Sequence, residues 1–189
     1  MKRNPVRQAV ENNYGSYKGA IRWSLAFLEP VYRRHLLTAH TLSSCNRLVF
    51  VCQGNICRSA FAEAVAKQLH GRDSISVGLR TTTGLPADRG ANVIARSFGI
   101  DLSNHQTKSI DDYDYRDGDV FFAMEFRQLV TLSKNANFSS VPRTLLGLWA
   151  KPVCPHLHDP FGTNPEYMRM CFKRVESGVR GIHQNGVVL

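Results

Sequence analysis

Long apolar runs are missing from this chain of 189 residues. The strongest apolar stretches, such as LAFL at residues 25–28, fall far short of the roughly 18 residues that a membrane-spanning helix needs. The N-terminal residues also lack the apolar core of a secretory leader. We therefore expect a protein that is soluble or at most peripheral to a membrane.

Cysteine is scarce as well, with five residues at positions 45, 52, 57, 154 and 171. Their number is odd and their spacing does not repeat, so the pattern of a secreted protein held together by disulfides is missing. This usage favours a reducing cytoplasm.

The composition that remains is that of an ordinary globular protein, with 43% hydrophobic and 21% charged residues. The length suits one compact domain with a sizeable core. The net charge of +9 is unevenly placed, because residues 1–46 hold seven Lys and Arg against two Asp and Glu. We therefore divide the chain into a basic N-terminal extension, residues 1–46, and a folded domain, residues 47–189.

From residue 47 onward, short apolar segments alternate with amphipathic ones. This alternation predicts an α/β fold: a doubly wound, four-stranded parallel sheet with helices on both faces. Ligands bind such sheets at the carboxyl ends of the strands, where Cys52 would lie. The strands are predicted at residues 47–52, 74–79, 119–124 and around 143–148. The helices are predicted at residues 58–71 and 88–99, from near Glu125, and from about 165 to 179.

The segment CQGNICRS, residues 52–59, joins the first strand to the first helix. Backbone N–H groups in such a loop can turn inward, and the helix N-terminus adds positive potential. Gly54 permits close backbone approach, and Asn55 tolerates a left-handed conformation. Cys52 would face the positive potential, which favours its thiolate, while Arg58 carries a planar fork suited to phosphate. The segment therefore predicts an anion-binding loop with a reactive cysteine.

The motif VCQGNICRS, residues 51–59, resembles the signature of the low-molecular-weight protein tyrosine phosphatases. Three further segments follow in the family's order and spacing, namely residues 84–110, DVFFAME at 119–125 and HDPFG at 158–162. The resemblance covers residues 47–189. It implies a phosphatase-like catalytic domain that acts on protein phosphotyrosine without a cofactor or a metal.

The resemblance also implies the role of each site residue. Cys52 would attack phosphorus, and Asp159 would protonate the departing phenolate and then accept a proton from water. Ser59 would donate a hydrogen bond to the Cys52 sulfur. The phosphate would be bound by Gln53, Gly54, Asn55, Ile56, Cys57, Arg58 and Ser59. The loop would be supported by Asn55, Ser59, Ser76 and His105, the last as a neutral support rather than a proton carrier.

Several positions leave two interpretations open. Cys57 is either a small packed side chain or a thiol that traps oxidised Cys52 as a reversible disulfide. Ala60 replaces the family's usual proline, and Phe161 keeps an aromatic wall of the substrate pocket where many members carry tyrosine. Residues 76–84 depart from the family's usual segment, which leaves substrate preference less defined than the chemistry.

The same loop is compatible with three other functions. An arsenate reductase of this fold needs two more cysteines in mid-chain, where residues 58–153 have none. A phosphoarginine phosphatase would carry threonine in place of Ile56, and an interaction module without catalysis would not need Cys52 and Asp159 together. The segment LLGLWAKP, residues 145–152, resembles the bacterial branch that acts on tyrosine kinases of exopolysaccharide export.

Two remaining features carry no clear signature. Residues 154–159, CPHLHD, offer Cys154, His156, His158 and Asp159 to a metal, but no remote ligand group accompanies them and we expect none to bind. In the extension, residues 18–37 show helical spacing interrupted by Pro30. These residues would pack on the catalytic domain, lie on an anionic membrane surface or dock a partner helix. No nucleic-acid-binding motif accompanies their charge.

Overall fold

The centre of the structure is a four-stranded parallel sheet with the strand order β2-β1-β3-β4. The computed structural model describes residues 4–27, 44–69 and 73–186. Strand β1 is central because it pairs with both β2 and β3, so Val51 lies level with Val77 on one side and Ala123 on the other. The strands are β1 Arg47–Cys52, β2 Asp73–Gly78, β3 Asp119–Ala123 and β4 Arg143–Leu145. The predicted doubly wound α/β fold is confirmed.

Six helices accompany the sheet in the described part of the chain: α1 Pro5–Tyr14, α2 Tyr17–Ala26, α3 Arg58–Gln68, α4 Arg89–Arg96, α5 Phe126–Lys134 and α6 Pro165–Gly186. Helix α4 is shorter than predicted, since Asp88 caps its start by accepting from Ala91 N at 2.8 Å and Gly99 turns the chain with φ 72°. Strand β4 is also shorter, because residues 146–148 form a 3-10 turn. A side chain at Gly147 would collide with the Cys154 carbonyl, at 1.7 Å, so the turn packs directly on the segment that follows.

The core lies on both faces of β1, every residue of which is buried. On one face, Phe61 of α3 stacks on Phe172 of α6 with ring centroids 4.1 Å apart. On the other face, Val49 and Val51 pack in a second apolar cluster with Phe121 of β3. Burial on both faces fixes the position of the strand, and with it the point at which Cys52 leaves the sheet.

Helices α1 and α2, which we call the N-terminal helix pair, follow each other closely, with only Gly15 and Ser16 between them. Asn4 caps α1, Gly15 ends it with φ 75°, and Ser16 caps α2 by accepting from Gly19 N at 3.0 Å. The predicted helical pattern at residues 18–37 coincides with α2 only as far as Ala26, and its remainder from residue 28 lies outside the described residues. Nowhere in residues 4–27, 44–69 or 73–186 is a helix both long and apolar enough to span a bilayer.

Candidate active site

The loop between β1 and α3 wraps around the sulfur of Cys52. The Ser59 hydroxyl lies 3.0 Å from Cys52 Sγ, and the backbone N–H of Asn55 donates to the same sulfur at 3.2 Å. Asn55 has φ 56°, the left-handed conformation that only glycine, Asn and Asp adopt readily. A hydroxyl and a backbone N–H therefore lie within hydrogen-bond distance of a single buried sulfur.

The carbonyl groups of this loop are bound on its outer side. Those of Cys52, Gln53 and Ile56 accept from the backbone N–H groups of residues 79, 80 and 88 at 2.8–3.0 Å. The carbonyl of Asn55 lies 2.7 Å from Nε2 of His105. Because each peptide unit is planar and trans, the N–H of the next residue points the opposite way. The N–H groups of residues 53, 54, 56 and 57 are thereby directed away from these partners, toward the inner side of the loop.

The side chain of Asn55 connects the loop to its surroundings. Its Nδ2 donates to Ser59 Oγ at 2.9 Å and to Ser76 Oγ at 2.7 Å, and its Oδ1 accepts from Lys108 N at 2.8 Å. Ser76 in turn donates to Glu63 Oε2 at 2.5 Å. The three partners of the Asn55 side chain lie on α3, on β2 and on the segment after α4. The network therefore connects the loop to three parts of the structure.

Gly78 at the end of β2 allows the loop to approach the sheet. A Cβ at this position would lie 3.0 Å from Asn55 Cβ and 3.1 Å from the carbonyl carbon of Gly54. These two distances are tighter than nine in ten real Cβ contacts, and the Thr81 methyl would lie at only 2.7 Å, so glycine is the residue that fits here without displacing its neighbours. The unusual segment at residues 76–84 thus begins with two residues, Ser76 and Gly78, that contact the loop.

Arg58 is buried, and its guanidinium binds two carboxylates and one backbone carbonyl. Its Nη1 donates to Glu125 Oε1 at 2.6 Å and to the Leu157 carbonyl at 2.8 Å, and its Nη2 lies 2.8 Å from Asp159 Oδ2. Burial alone would lower the pKa of Arg58, but Asp159, Cys52 and Glu125 outweigh it and raise that pKa above its ordinary value. The guanidinium therefore remains charged beside Cys52.

Glu125 is a member of the site that the sequence analysis does not identify. Burial favours its neutral form, but Arg58 and Arg127 more than compensate, so the pKa of Glu125 lies below its ordinary value. The sequence indicates a site role for Glu125 only through its position two residues after β3, at the same edge of the sheet as Cys52. The Leu157 carbonyl carries no such signal, because any residue has one.

Cys57 is buried at the N-cap of α3. Burial, together with the nearby Asp88, raises the pKa of Cys57 well above its ordinary value. The neutral thiol form of Cys57 is therefore favoured. The neighbouring Ala60, where the family usually has proline, is buried in the core.

Residues 156–164, which we call the Asp159 loop, bring the second carboxylate to the site. The Asp159 side chain is 33% exposed, and its Oδ1 accepts from Phe161 N at 3.2 Å. Phe161 itself is 60% exposed at the rim. Leu157 N donates to the Met124 carbonyl at 3.0 Å, which ties the loop to the end of β3. Asp159 thus faces the site from a loop that is anchored behind it.

The remaining polar residues of this loop do not converge as metal ligands. The Cys154 thiol donates to the carbonyl of His156 at 3.5 Å, and the rings of His156 and His158 stack 5.8 Å apart. Among the residues that the structure describes, no three His, Cys, Asp or Glu side chains are grouped so that they could hold a metal ion. Nor does a disulfide join any of the five cysteines, all of which are buried.

Comparison with known proteins gives the arrangement a family. The family model of the low molecular weight phosphotyrosine protein phosphatases matches residues 47–186. The low molecular weight protein-tyrosine-phosphatase Wzb of Salmonella typhi is 28% identical over 136 residues, which are 71% of this chain and 90% of that protein.

Solved structures agree on the fold. The low molecular weight protein tyrosine phosphatase from T. tengcongensis has a TM-score of 0.65 at 25% identity, covering 73% of this chain and 97% of that one. The YwlE arginine phosphatase from Geobacillus stearothermophilus has a TM-score of 0.62 at 23% identity, covering 74% and 91%. With most of its length matched by the family model and its relatives named protein tyrosine phosphatases, the chain belongs to the low molecular weight protein tyrosine phosphatase family, a family of hydrolases.

Proposed function

We propose that this protein removes phosphate from tyrosine in proteins through a phosphocysteine intermediate. The observation that carries the proposal is the convergence of Cys52 and Asp159 on Arg58. The sulfur is bound by Ser59 and Asn55 beside the guanidinium, which holds the Asp159 carboxylate at 2.8 Å. A nucleophile, an oxyanion partner and an acid are the groups that phosphoryl transfer from an ester needs.

The first step breaks the bond between phosphorus and the phenolic oxygen. The Cys52 thiolate forms a bond to phosphorus in line with that oxygen, while Arg58 and the inward N–H groups of the loop bind the equatorial oxygens. The phosphoryl group competes with Asp159 for the Arg58 fork. Asp159 then gives its proton to the departing phenolate, which leaves as tyrosine.

The second step breaks the bond between sulfur and phosphorus. Water attacks the phosphocysteine, Asp159 takes the proton that the water loses, and inorganic phosphate leaves. The Cys52 thiolate is restored, and the hydrogen bond from Ser59 stabilises it as the leaving group. Neither step requires a metal or a cofactor.

An aryl phosphate is the substrate that the loop composition favours. Ile56 places an apolar side chain in the phosphate loop, and Phe161 exposes an aromatic ring on the Asp159 loop. The likeness to YwlE keeps phosphoarginine as the second candidate. The ratio of kcat/KM for phosphotyrosine and phosphoarginine peptides of the same sequence distinguishes the two, and a preference for phosphoarginine would overturn the assignment.

The protein substrate that we propose is a bacterial tyrosine kinase of polysaccharide export. This assignment is supported by the likeness to Wzb and other relatives from exopolysaccharide-associated systems. Five cysteines without a disulfide support a reducing cytoplasm as the compartment. Dephosphorylation of such a kinase by this protein, compared with an unrelated phosphotyrosine protein, tests the assignment.

The pair of cysteines at the two ends of β1 provides the test of mechanism. Cys52→Ser should abolish hydrolysis of p-nitrophenyl phosphate while phosphate still binds, because the N–H groups and Arg58 remain. Cys45→Ser, a buried cysteine before the other end of the strand, should keep full activity. Turnover that persists in Cys52→Ser would exclude the phosphocysteine route. If wild type itself shows no turnover but binds phosphate, the protein is a binding module instead.

A further inference from the structure

The N-terminal helix pair lies against the Asp159 loop. These helices precede residues 47–186, which are the part of the chain that the family model matches. The contacts come from both backbone and side chains, and they fall on residues 158 and 164 of the Asp159 loop or on the helix that follows it. The pair therefore contacts the part of the site that carries the proposed general acid.

Two glycines of the helix pair, Gly15 and Gly19, lie against His158. A Cβ added at Gly19 would lie 3.0 Å from His158 Cδ2 and 2.1 Å from the Tyr14 carbonyl oxygen. A Cβ added at Gly15 would lie 3.1 Å from His158 Cδ2 and 2.8 Å from the Tyr167 ring. Both glycines thus let helix backbone pack directly on the residue before Asp159.

His158 also contacts α6. Its carbonyl accepts from Tyr167 Oη at 3.1 Å, and the thiol of Cys171 lies within 3.7 Å of the same oxygen. The ring lies 6.1 Å from that of Tyr167. The residue before Asp159 therefore contacts both α6 and the helix pair.

Polar contacts attach the helix pair to the Asp159 loop and to α6. Asn164 Nδ2, at the end of the Asp159 loop, donates to Asn12 Oδ1 at 3.1 Å. Arg174 of α6 donates to the Asn13 carbonyl at 2.8 Å, and its guanidinium carbon lies 5.7 Å from the centre of the Tyr14 ring. Arg174 therefore fastens the end of α1 to the helix that supports the loop.

We infer that the N-terminal helix pair is a positioning element for Asp159, holding the loop so that the carboxylate meets the leaving oxygen. This inference rests on the proposed role of Asp159 as general acid. Among the described residues no hydrogen bond or ring contact joins the pair to Cys52 or Arg58, so we expect its effect on the site to pass through the Asp159 loop. Loss of the pair should slow cleavage of esters that need an acid and spare those that do not.

Arg174→Ala tests the inference with Arg169→Ala as its matched control on the same helix. Arg169 is exposed, whereas Arg174 contacts Asn13 and Tyr14. Arg174→Ala should lower kcat/KM for a phosphotyrosine peptide roughly tenfold, because misplacing a catalytic group by about 1 Å costs up to 100-fold. The kcat/KM for p-nitrophenyl phosphate, which covers only the steps up to departure of its acidic phenol, should fall less than twofold. The inhibition constant of inorganic phosphate should stay unchanged in both variants.

Gly19→Val provides the second test, with Lys18→Val as the control for placing valine in α2. Lys18 is exposed, so only Gly19→Val forces the helix pair away from His158. The same selective loss on phosphotyrosine is expected. An equal loss on both substrates would mean general destabilisation, and no loss in either Arg174→Ala or Gly19→Val would overturn the inference.

Combining these changes with Asp159→Asn separates this inference from the proposed function. If the helix pair acts through Asp159, Arg174→Ala should cause no further loss in the Asp159→Asn protein. A full additional loss there would overturn the positioning role while leaving the general acid intact. If Asp159→Asn alone has no effect, the general acid itself is misassigned.

Discussion

The carboxylate of Glu125 lies 2.6 Å from Arg58 Nη1, and both side chains are only 1% exposed. The two residues leave different strands, since Arg58 follows β1 and Glu125 follows β3. Because β1 and β3 are neighbours in the sheet, their carboxyl ends bring the charges together. Asp159 binds the second terminal nitrogen of the same guanidinium, so each terminal nitrogen of Arg58 has an acidic partner.

Glu125→Gln should destabilise the protein more than the loss of an ordinary surface pair. It leaves the charge of Arg58 buried with one acidic partner fewer, and breaking a buried pair costs about 3 kcal/mol. Glu176→Gln is the control, since the pair of Glu176 with Arg180 is partly exposed and lies within one helix, so it should contribute less than about 1 kcal/mol. Urea unfolding measures both, and equal effects would mean that Glu125 does not stabilise Arg58.

The local part of the site could be predicted from the sequence because its members are close along the chain. Cys52, Asn55, Arg58 and Ser59 lie on one strand, loop and helix start, where glycine, asparagine and the apolar pattern already determine the geometry. The structure brings all four together as expected. Their catalytic roles remain predictions for the experiments.

The distant part could not be derived from local patterns. Whether Glu125 reaches Arg58 depends on the register between β1 and β3, in which Val51 lies beside Ala123. The contact of Gly19 with His158 depends on how the helix pair packs, and its helical spacing does not encode that. The place of Asp159 in the site could be predicted only from the resemblance of HDPFG to the family's loop.

Cys57→Ser should impair recovery from oxidation. Peroxide converts the Cys52 thiolate to a sulfenic acid, which the Cys57 thiol can attack to form a disulfide and release water. A thiol reductant then restores both cysteines. After the same exposure, Cys57→Ser should regain much less activity than wild type or Cys45→Ser. Equal recovery in all three proteins would assign Cys57 to packing alone.

His156 should make the fold sensitive to mild acid. Burial lowers the pKa of this ring to about 4, opposed by Glu125 and assisted by His158, Arg58 and Arg22. An unfolded histidine titrates near 6.5, so between about pH 6.5 and 4 the unfolded state binds a proton that the folded state does not. The free energy of unfolding should therefore fall as the pH drops through this window, by up to about 3 kcal/mol.

His156→Gln removes the titrating ring and with it this contribution. Urea unfolding at pH 7, 6, 5 and 4 should give a shallower loss of stability for the variant than for wild type, with the two curves keeping a constant separation above about pH 7. Curves that stay parallel down to pH 4 would show that His156 is not a source of the acid sensitivity.

Asp159→Asn is the change that reaches farthest into the mechanism, because the fold alone brings this residue to Cys52. If Asp159 protonates the leaving oxygen, the variant should hydrolyse phosphotyrosine roughly 100-fold more slowly, the usual scale of general acid catalysis. The loss should shrink for p-nitrophenyl phosphate, whose phenol is acidic enough to leave without a proton. Asp117→Asn is the matched control, since Asp117 belongs to the exposed acidic segment before β3, at the opposite end of the strand. Should Asp159→Asn match that control in rate and in leaving-group dependence, another group must supply the proton, and the carboxylate on Arg58 serves binding only.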